Sequence, residues 1–222
     1  MLRGIFITGT DTDVGKTVVA AACLHRYRGQ ARLRYWKPIQ TGIERDDDTA
    51  TVRRLGECEE VEVFDQGVRL PRPLSPHLAA RLAGEEIELE PMARLITAQR
   101  GDADWVVEGA GGALVPINDR QLMIDLIASL ALPAVVVARS GLGTINHTLL
   151  TLEALRRRSL RVAGVVMVGE VNKENRAAIE RYGAAPVLGE MPRFTHLTAE
   201  NLKRWARLEL DPSGLLAEGF ND

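Results

Sequence analysis

"ITGTDTDVGKTVVAAACL", residues 7–24, sets a buried strand, a polar loop and a helix end to end. Gly15-Lys16-Thr17 stands where the loop becomes the helix. In that context a short pattern becomes a phosphate site. The backbone of Asp13, Val14, Gly15, Lys16, Thr17 and Val18 and the helix dipole can hold phosphate oxygens. Lys16 reaches the terminal phosphates and Thr17 turns its hydroxyl to Mg²⁺. The loop nevertheless departs from G-x-x-x-x-G-K-[ST]. Five residues separate Gly9 from Gly15, Thr10 replaces the first glycine, and Asp11 and Asp13 add negative charge. Unit charges about 4 Å apart interact by about 4 kcal/mol at an effective dielectric near 20, so acids beside a triphosphate require intervening cations.

Outward from the loop, short apolar runs alternate with helical ones. The pattern predicts strands at Leu2 to Thr8, Arg32 to Pro38, Asp104 to Gly109, Pro133 to Ala138, Arg161 to Gly169 and Ala185 to Glu190. Helices are expected at Lys16 to Tyr27, Asp48 to Leu55, from near His77, Pro91 to Arg100, Leu122 to Leu130, Thr144 to Arg157 and Lys173 to Tyr182. Pro71, Pro73 and Pro76 make "VRLPRPLSPH" extended and irregular. The tail after Trp205 carries little signal. The fold class is α/β, a mostly parallel central sheet with helices on both faces, like a P-loop NTPase, with residues 1–222 as a single domain. Ligands in such sheets bind beyond the carboxyl ends of the strands.

Composition narrows the function. The chain has 222 residues, 45% hydrophobic, and a net charge of −2, which gives no basic surplus for nucleic acid or an anionic membrane. No apolar stretch approaches the roughly 20 residues of a bilayer span, and the N-terminus lacks a secretory layout. Cys23 and Cys58 have no metal-ligand spacing. A reduced, cytoplasmic protein without structural zinc is expected.

Several residues can accompany the loop. Glu108 ends a buried strand in "VVEGAGG", where a charge is costly unless it binds something; the plain alternative is a strand-end glutamate in a glycine turn. Gly109, Gly111 and Gly112 let backbone approach a ligand. Lys37, in "YWKPIQTG", can reach the same sheet edge, with Thr41 four residues on; alone, it reads as a snorkelling side chain. In "ERDDDTATVRRL", Asp46 and Asp47 read as a solvated turn with a cap, whereas Asp48 can cap or ligate. "GLGTINH" offers Thr144, Ile145 and Asn146 as a second anion-binding helix start or as a plain capped turn. His25, His77, His147 and His196 read as packing or hydrogen-bonding residues.

Taken in order, "GTDTDVGKT", "KPIQTG", "DTATVRRL", "SPH", "VEGAGG", "GLGTINH" and "LGEMP" resemble the dethiobiotin synthetase family from Gly9 to about Pro192. The resemblance implies an ATP-dependent cyclo-ligase acting on 7,8-diaminononanoate and carbon dioxide, through a carbamate and a carbamic-phosphoric mixed anhydride, to dethiobiotin, ADP and phosphate. It implies catalytic roles for Lys16, Lys37, Thr12 and Asp13, and metal ligation by Thr17, Asp48 and Glu108. Glu108, Gly109, Gly111 and Gly112 fall at other nucleotide positions. Thr12, Lys37, Thr41, Gly111, Thr144 and Asn146 fall at substrate positions, the last two receiving the substrate carboxylate across a homodimer interface. The acidic bulge of the loop then faces the metal and the diamine.

Two departures stand out. Asp13 is one methylene shorter than the glutamate of several members. Val168 and Gly169 occupy about the place of an adenine-reading asparagine, leaving base selection loose, or to backbone groups or Asn172. A partitioning ATPase would carry a lysine at Asp11, and no glutaminase domain fits in the chain. A nucleotide-sensing module would need no Lys37.

Overall fold

The computed structural model describes residues 2–99, 103–217 and 220. Its elements are β1 (Gly4–Gly9), α1 (Lys16–Tyr27), β2 (Leu33–Trp36), β3 (Ile39–Thr41), α2 (Asp48–Leu55), β4 (Val63–Phe64), β5 (Val68–Leu70), α3 (Pro76–Ala83) and α4 (Leu89–Thr97). There follow β6 (Asp104–Gly112), α5 (Met123–Leu130), β7 (Ala134–Arg139), α6 (Thr144–Arg157), β8 (Val162–Val168), α7 (Lys173–Gly183), β9 (Val187–Met191) and α8 (Ala199–Glu209).

Seven strands form one sheet in the order β4-β2-β6-β1-β7-β8-β9. Every pairing in it is parallel. Each return to a parallel neighbour needs a crossover, and helices supply these on both faces. One face packs Phe6, Trp36, Trp105 and Val107 against apolar residues of α3 to α7. The other packs Ile5, Ile7, Tyr35 and Val106 against α1, α2 and α8. The alternation along each strand assigns successive residues to opposite faces, so the chemistry beyond Ile7, Tyr35 and Val106 falls on the α1 side.

The expected mostly parallel sheet is present, with local differences. β2 stops at Trp36 rather than Pro38, because proline has no N–H to give a ladder. β6 continues through Gly112 instead of ending at Gly109. The helix expected at Pro91 begins at Leu89, which places Pro91 within its first turn, and Arg100 lies outside the described residues. The stretch expected to be irregular begins with β5, which pairs in parallel with β3 in a separate two-stranded sheet. The tail is anchored under α1, where the Tyr27 hydroxyl donates to Asp211 at 2.6 Å.

No helix among the described residues is long and apolar enough to cross a membrane. Cys23 and Cys58 are free thiols.

Candidate active site

Sheet register builds the site. Trp36 pairs with Val107, so the next residue on each strand brings Lys37 beside Glu108. Glu108 is itself opposite Ile7, two residues before Gly9. Between Ile7 and Gly9 the partner strand advances from Glu108 to Gly112, so Gly109, Ala110 and Gly111 bulge next to the loop. Gly111 has φ 66°, a left-handed conformation that glycine adopts without a Cβ penalty.

The loop turns into α1 at Gly15, whose φ of 101° is also left-handed. A Cβ there would meet the Val168 methyl groups at 3.3 Å. Lys16 and Thr17 follow on the first turn of α1 and come over Glu108. Thr17 Oγ1 lies 2.9 Å from Asp48 Oδ1 and 2.9 Å from Glu108 Oε1. Lys37 Nζ lies 2.7 Å from Glu108 Oε1 and also contacts Asp48 Oδ2. Tyr35 completes the cluster, donating its hydroxyl to Glu108 Oε2 at 2.8 Å.

This is a buried ionic cluster, since Lys37 is 3% and Glu108 0% exposed. Burial opposes the Lys37 charge, but Glu108 and Asp48 outweigh it and hold the ammonium above its usual pKa. For Asp48, burial is likewise overcome, chiefly by Lys37, and the carboxyl falls below its ordinary range. Lys16 goes the other way: burial lowers its pKa despite Glu108. Burial, with Glu108 beside it, pushes the Tyr35 phenol well up, so it remains a donor.

The donor set fits a small hard cation. One hydroxyl proton cannot serve two acceptors, yet Thr17 stands within hydrogen-bond distance of two carboxylates. A cation among these oxygens relieves that shortage. Mg²⁺ is bound through one or two carboxylates plus phosphate oxygens rather than a full protein cage.

The two loop aspartates separate cleanly. Asp11 pairs with Arg139 at the end of β7, and its side chain also accepts the Thr12 N–H at 2.7 Å. Its backbone carbonyl accepts from Lys16 Nζ at 3.0 Å. Asp13 is exposed and left-handed, with φ 55°. Asp48, which by sequence can cap or ligate, is not the cap. Asp47 is the N-cap of α2, accepting the Ala50 N–H at 3.0 Å, which leaves the Asp48 carboxylate to the cluster.

Lys16, Thr17, Lys37, Asp48 and Glu108 are thus gathered at one sheet edge. Thr12, Asp13, Thr41, Thr144 and Asn146 form no hydrogen bond to that cluster. Thr41 is half-buried on β3. Thr144 is 4% exposed and its hydroxyl donates to the Arg139 carbonyl. Asn146 is exposed on the first turn of α6, where helix N–H groups lack intrahelical acceptors. Near the expected base position, Asn172 accepts the Asn175 N–H as the α7 cap, and a Cβ on Gly169 would sit 2.2 Å from Ser140 Oγ.

Tyr35 and Arg139 were not singled out from sequence. The available signals were the spacing of Tyr35 two residues before Lys37, and the position of Arg139 at the carboxyl end of a buried strand.

Comparison with known proteins agrees with this architecture. Residues 3–201 match the family model described as an AAA domain. A ParA family ATPase from Chlorobium tepidum superposes with a TM-score of 0.58 at 10% identity, covering 92% of this chain and 98% of that one. The MinC:MinD cell division complex of Aquifex aeolicus gives 0.53 at 15% identity, over 98% of this chain and 93% of that one. At those identities the likeness is one of fold. An ATP-dependent dethiobiotin synthetase of Paramagnetospirillum magneticum is 51% identical over 90% of this chain and 93% of its own length. One of Agrobacterium fabrum is 46% identical over 88% and 89%. Identity at that level along nearly the whole of both sequences places this chain in the family of ATP-dependent dethiobiotin synthetases.

Proposed function

We propose that residues 1–222 form one catalytic domain that closes the ureido ring of dethiobiotin on 7,8-diaminononanoate, using carbon dioxide and ATP. The observation that carries this reading is the Lys37 ammonium held between two carboxylates at the mouth of the phosphate loop. A nucleotide-sensing module has no need of that buried charge.

One amine adds to carbon dioxide and loses a proton to give a carbamate. A carbamate oxygen then attacks the γ-phosphate, ADP leaves, and the mixed anhydride forms. The second amine attacks the carbamoyl carbon, and phosphate departs with the bridging oxygen. No enzyme nucleophile is required. Phosphoryl transfer of this kind depends on positioning and charge, so Lys16 on the phosphate and Lys37 on the carbamate supply the main stabilisation. Thr17, Asp48 and Glu108 would hold Mg²⁺, which when bound neutralises phosphate charge. Asp13 and Thr12 face the diamine, with Thr41 and Gly111 alongside, while Gly109 and Gly112 keep backbone near the nucleotide. Asp11 is tied to Arg139 and takes no part in substrate contact.

The substrate carboxylate is assigned to the α6 N-terminus, Thr144 to Asn146, of a second copy in a homodimer. Leu142, fully exposed at the tip of that turn, and Leu150 on the same helix suit such an interface. Asn146→Ala and Thr144→Val should raise the apparent KM for the diamine several-fold with little change in kcat, and unchanged values would argue against this subsite. The free thiols suit a cytoplasmic setting.

Two further outcomes follow. With Val168 beside Gly15 and the Asn172 oxygen engaged in a cap, ATP should be preferred over other triphosphates by less than about tenfold, since neither group is free to accept from the base edge. A much larger ratio of kcat/KM values would oppose this. Asp47→Ala should cost about 1 kcal/mol of stability with nearly parental turnover. Asp48→Asn should reduce turnover by about tenfold or more. Thermal unfolding and steady-state rates read both, and a reversed pattern would exchange the roles.

The direct assay supplies diamine, bicarbonate, Mg²⁺ and ATP and follows phosphate release. Release should depend on the diamine; equal release without it would refute the synthetase reading.

A further inference from the structure

Glu108 has two oxygens and three neighbouring donors. Oε1 meets Lys37 at 2.7 Å and Thr17 at 2.9 Å, while Oε2 accepts from Tyr35 at 2.8 Å. Tyr35 and Glu108 are both fully buried. A carboxylate at the end of a strand can rotate about its last torsion and present either oxygen. Here the phenol occupies Oε2 and leaves Oε1 to Lys37 and Thr17.

The arrangement comes from sequence spacing. Tyr35 and Lys37 are two apart on β2 and its exit, so they lie on one face. Tyr35 pairs with Val106, two residues before Glu108 on the neighbouring strand. The tyrosine therefore stands two residues behind Glu108, fully buried, and meets the cluster through the carboxylate.

We propose that Tyr35 is a positioning residue for the metal: by holding Oε2 of Glu108, it presents Oε1 to the cation shared with Thr17 and Asp48. This rests on the metal assignment made above. With phenylalanine at position 35, Oε2 would be buried without its donor, and the carboxylate would turn toward Thr17 and Lys37 to recover one. The metal would then meet a differently oriented ligand. Partners of a ligating group that lie beyond the ligand shell commonly change metal affinity by about ten- to a hundredfold.

The test uses Mn²⁺ as the probe, with ADP bound, and reads free Mn²⁺ by electron paramagnetic resonance. Tyr35→Phe should weaken Mn²⁺ binding about tenfold while ADP affinity without metal stays within about twofold. That second measurement reports folding of the loop, and Tyr35→Met, which also lacks the hydroxyl, should behave alike. Glu108→Gln should weaken Mn²⁺ at least as much, and adding Tyr35→Phe to it should cost less than about a further twofold, because the two residues act in series. If Tyr35→Phe binds Mn²⁺ as the parent does while Glu108→Gln and Asp48→Asn bind it weakly, the positioning role is wrong. If neither Glu108→Gln nor Asp48→Asn weakens Mn²⁺ binding, the metal assignment itself falls and takes this inference with it.

Discussion

Replacing Lys37 by methionine is expected to lower turnover by about a thousandfold and to destabilise the ligand-free protein by about 3 kcal/mol. Both effects have one origin. The ammonium is 3% exposed and touches Glu108 and Asp48, so its loss leaves two acids without their direct cationic partner, with Lys16 as a neighbouring charge. Removing one member of a buried pair is costly because the other charge stays behind without its partner. In the reaction proposed above the same ammonium meets the carbamate as it approaches the γ-phosphate, where its charge matters most at the transition state. Urea unfolding and single-turnover rates test the two halves separately. A Lys37→Met protein with near-parental turnover would remove Lys37 from the mechanism.

Lys16→Ala should cut turnover by a comparable factor, about a thousandfold, but change stability by no more than about 1 kcal/mol. The difference follows from what each lysine touches before ligand arrives. Lys16 makes one hydrogen bond, to the Asp11 carbonyl, and burial already lowers its pKa. On the proposed reading its charge is held at some cost in readiness for a phosphate. The contrast between the two variants is therefore sharper than either result alone. Equal destabilisation by both would mean that Lys16 is a structural member of the cluster.

Much of this arrangement was readable from sequence because its boundaries carry local chemistry. The helices expected at Lys16, Asp48 and Thr144 start at those residues, each behind a Gly15, Asp47 or Gly143 whose backbone or side chain sets the turn. The strand carrying Glu108 was recognisable from its apolar run. Which of the other expected strands flank it, and in what register, was not, because register is a property of pairing and cannot be read from one segment. Tyr35 illustrates the gap. In sequence it is an aromatic residue in a buried strand, and only its alignment two residues behind Glu108 makes its hydroxyl matter. The small β3–β5 sheet was hidden for another reason: three residues per strand are too short for a period, and the prolines after Leu70 masked its end. Whether Asp48 caps or ligates was undecidable until the backbone showed Asp47 in the cap position.

The loop spacing follows the same logic. Asp11 is paired with Arg139, while Asp13 stays exposed in a left-handed conformation. The extra residue lets one acid be neutralised within the protein, and on the proposed reading the other is offered to a cationic substrate.

The central claim is that carbon dioxide is activated as a mixed anhydride with the γ-phosphate on this chain. Turnover with ¹⁸O-labelled bicarbonate in unlabelled water, sampled before the label exchanges with solvent, tests it most directly. If a carbamate oxygen bridges carbon and phosphorus, each inorganic phosphate formed with dethiobiotin carries one oxygen from the labelled carbon source. Phosphate without label, its fourth oxygen taken from unlabelled water, would show that ATP is hydrolysed without forming that bond, and would contradict the account.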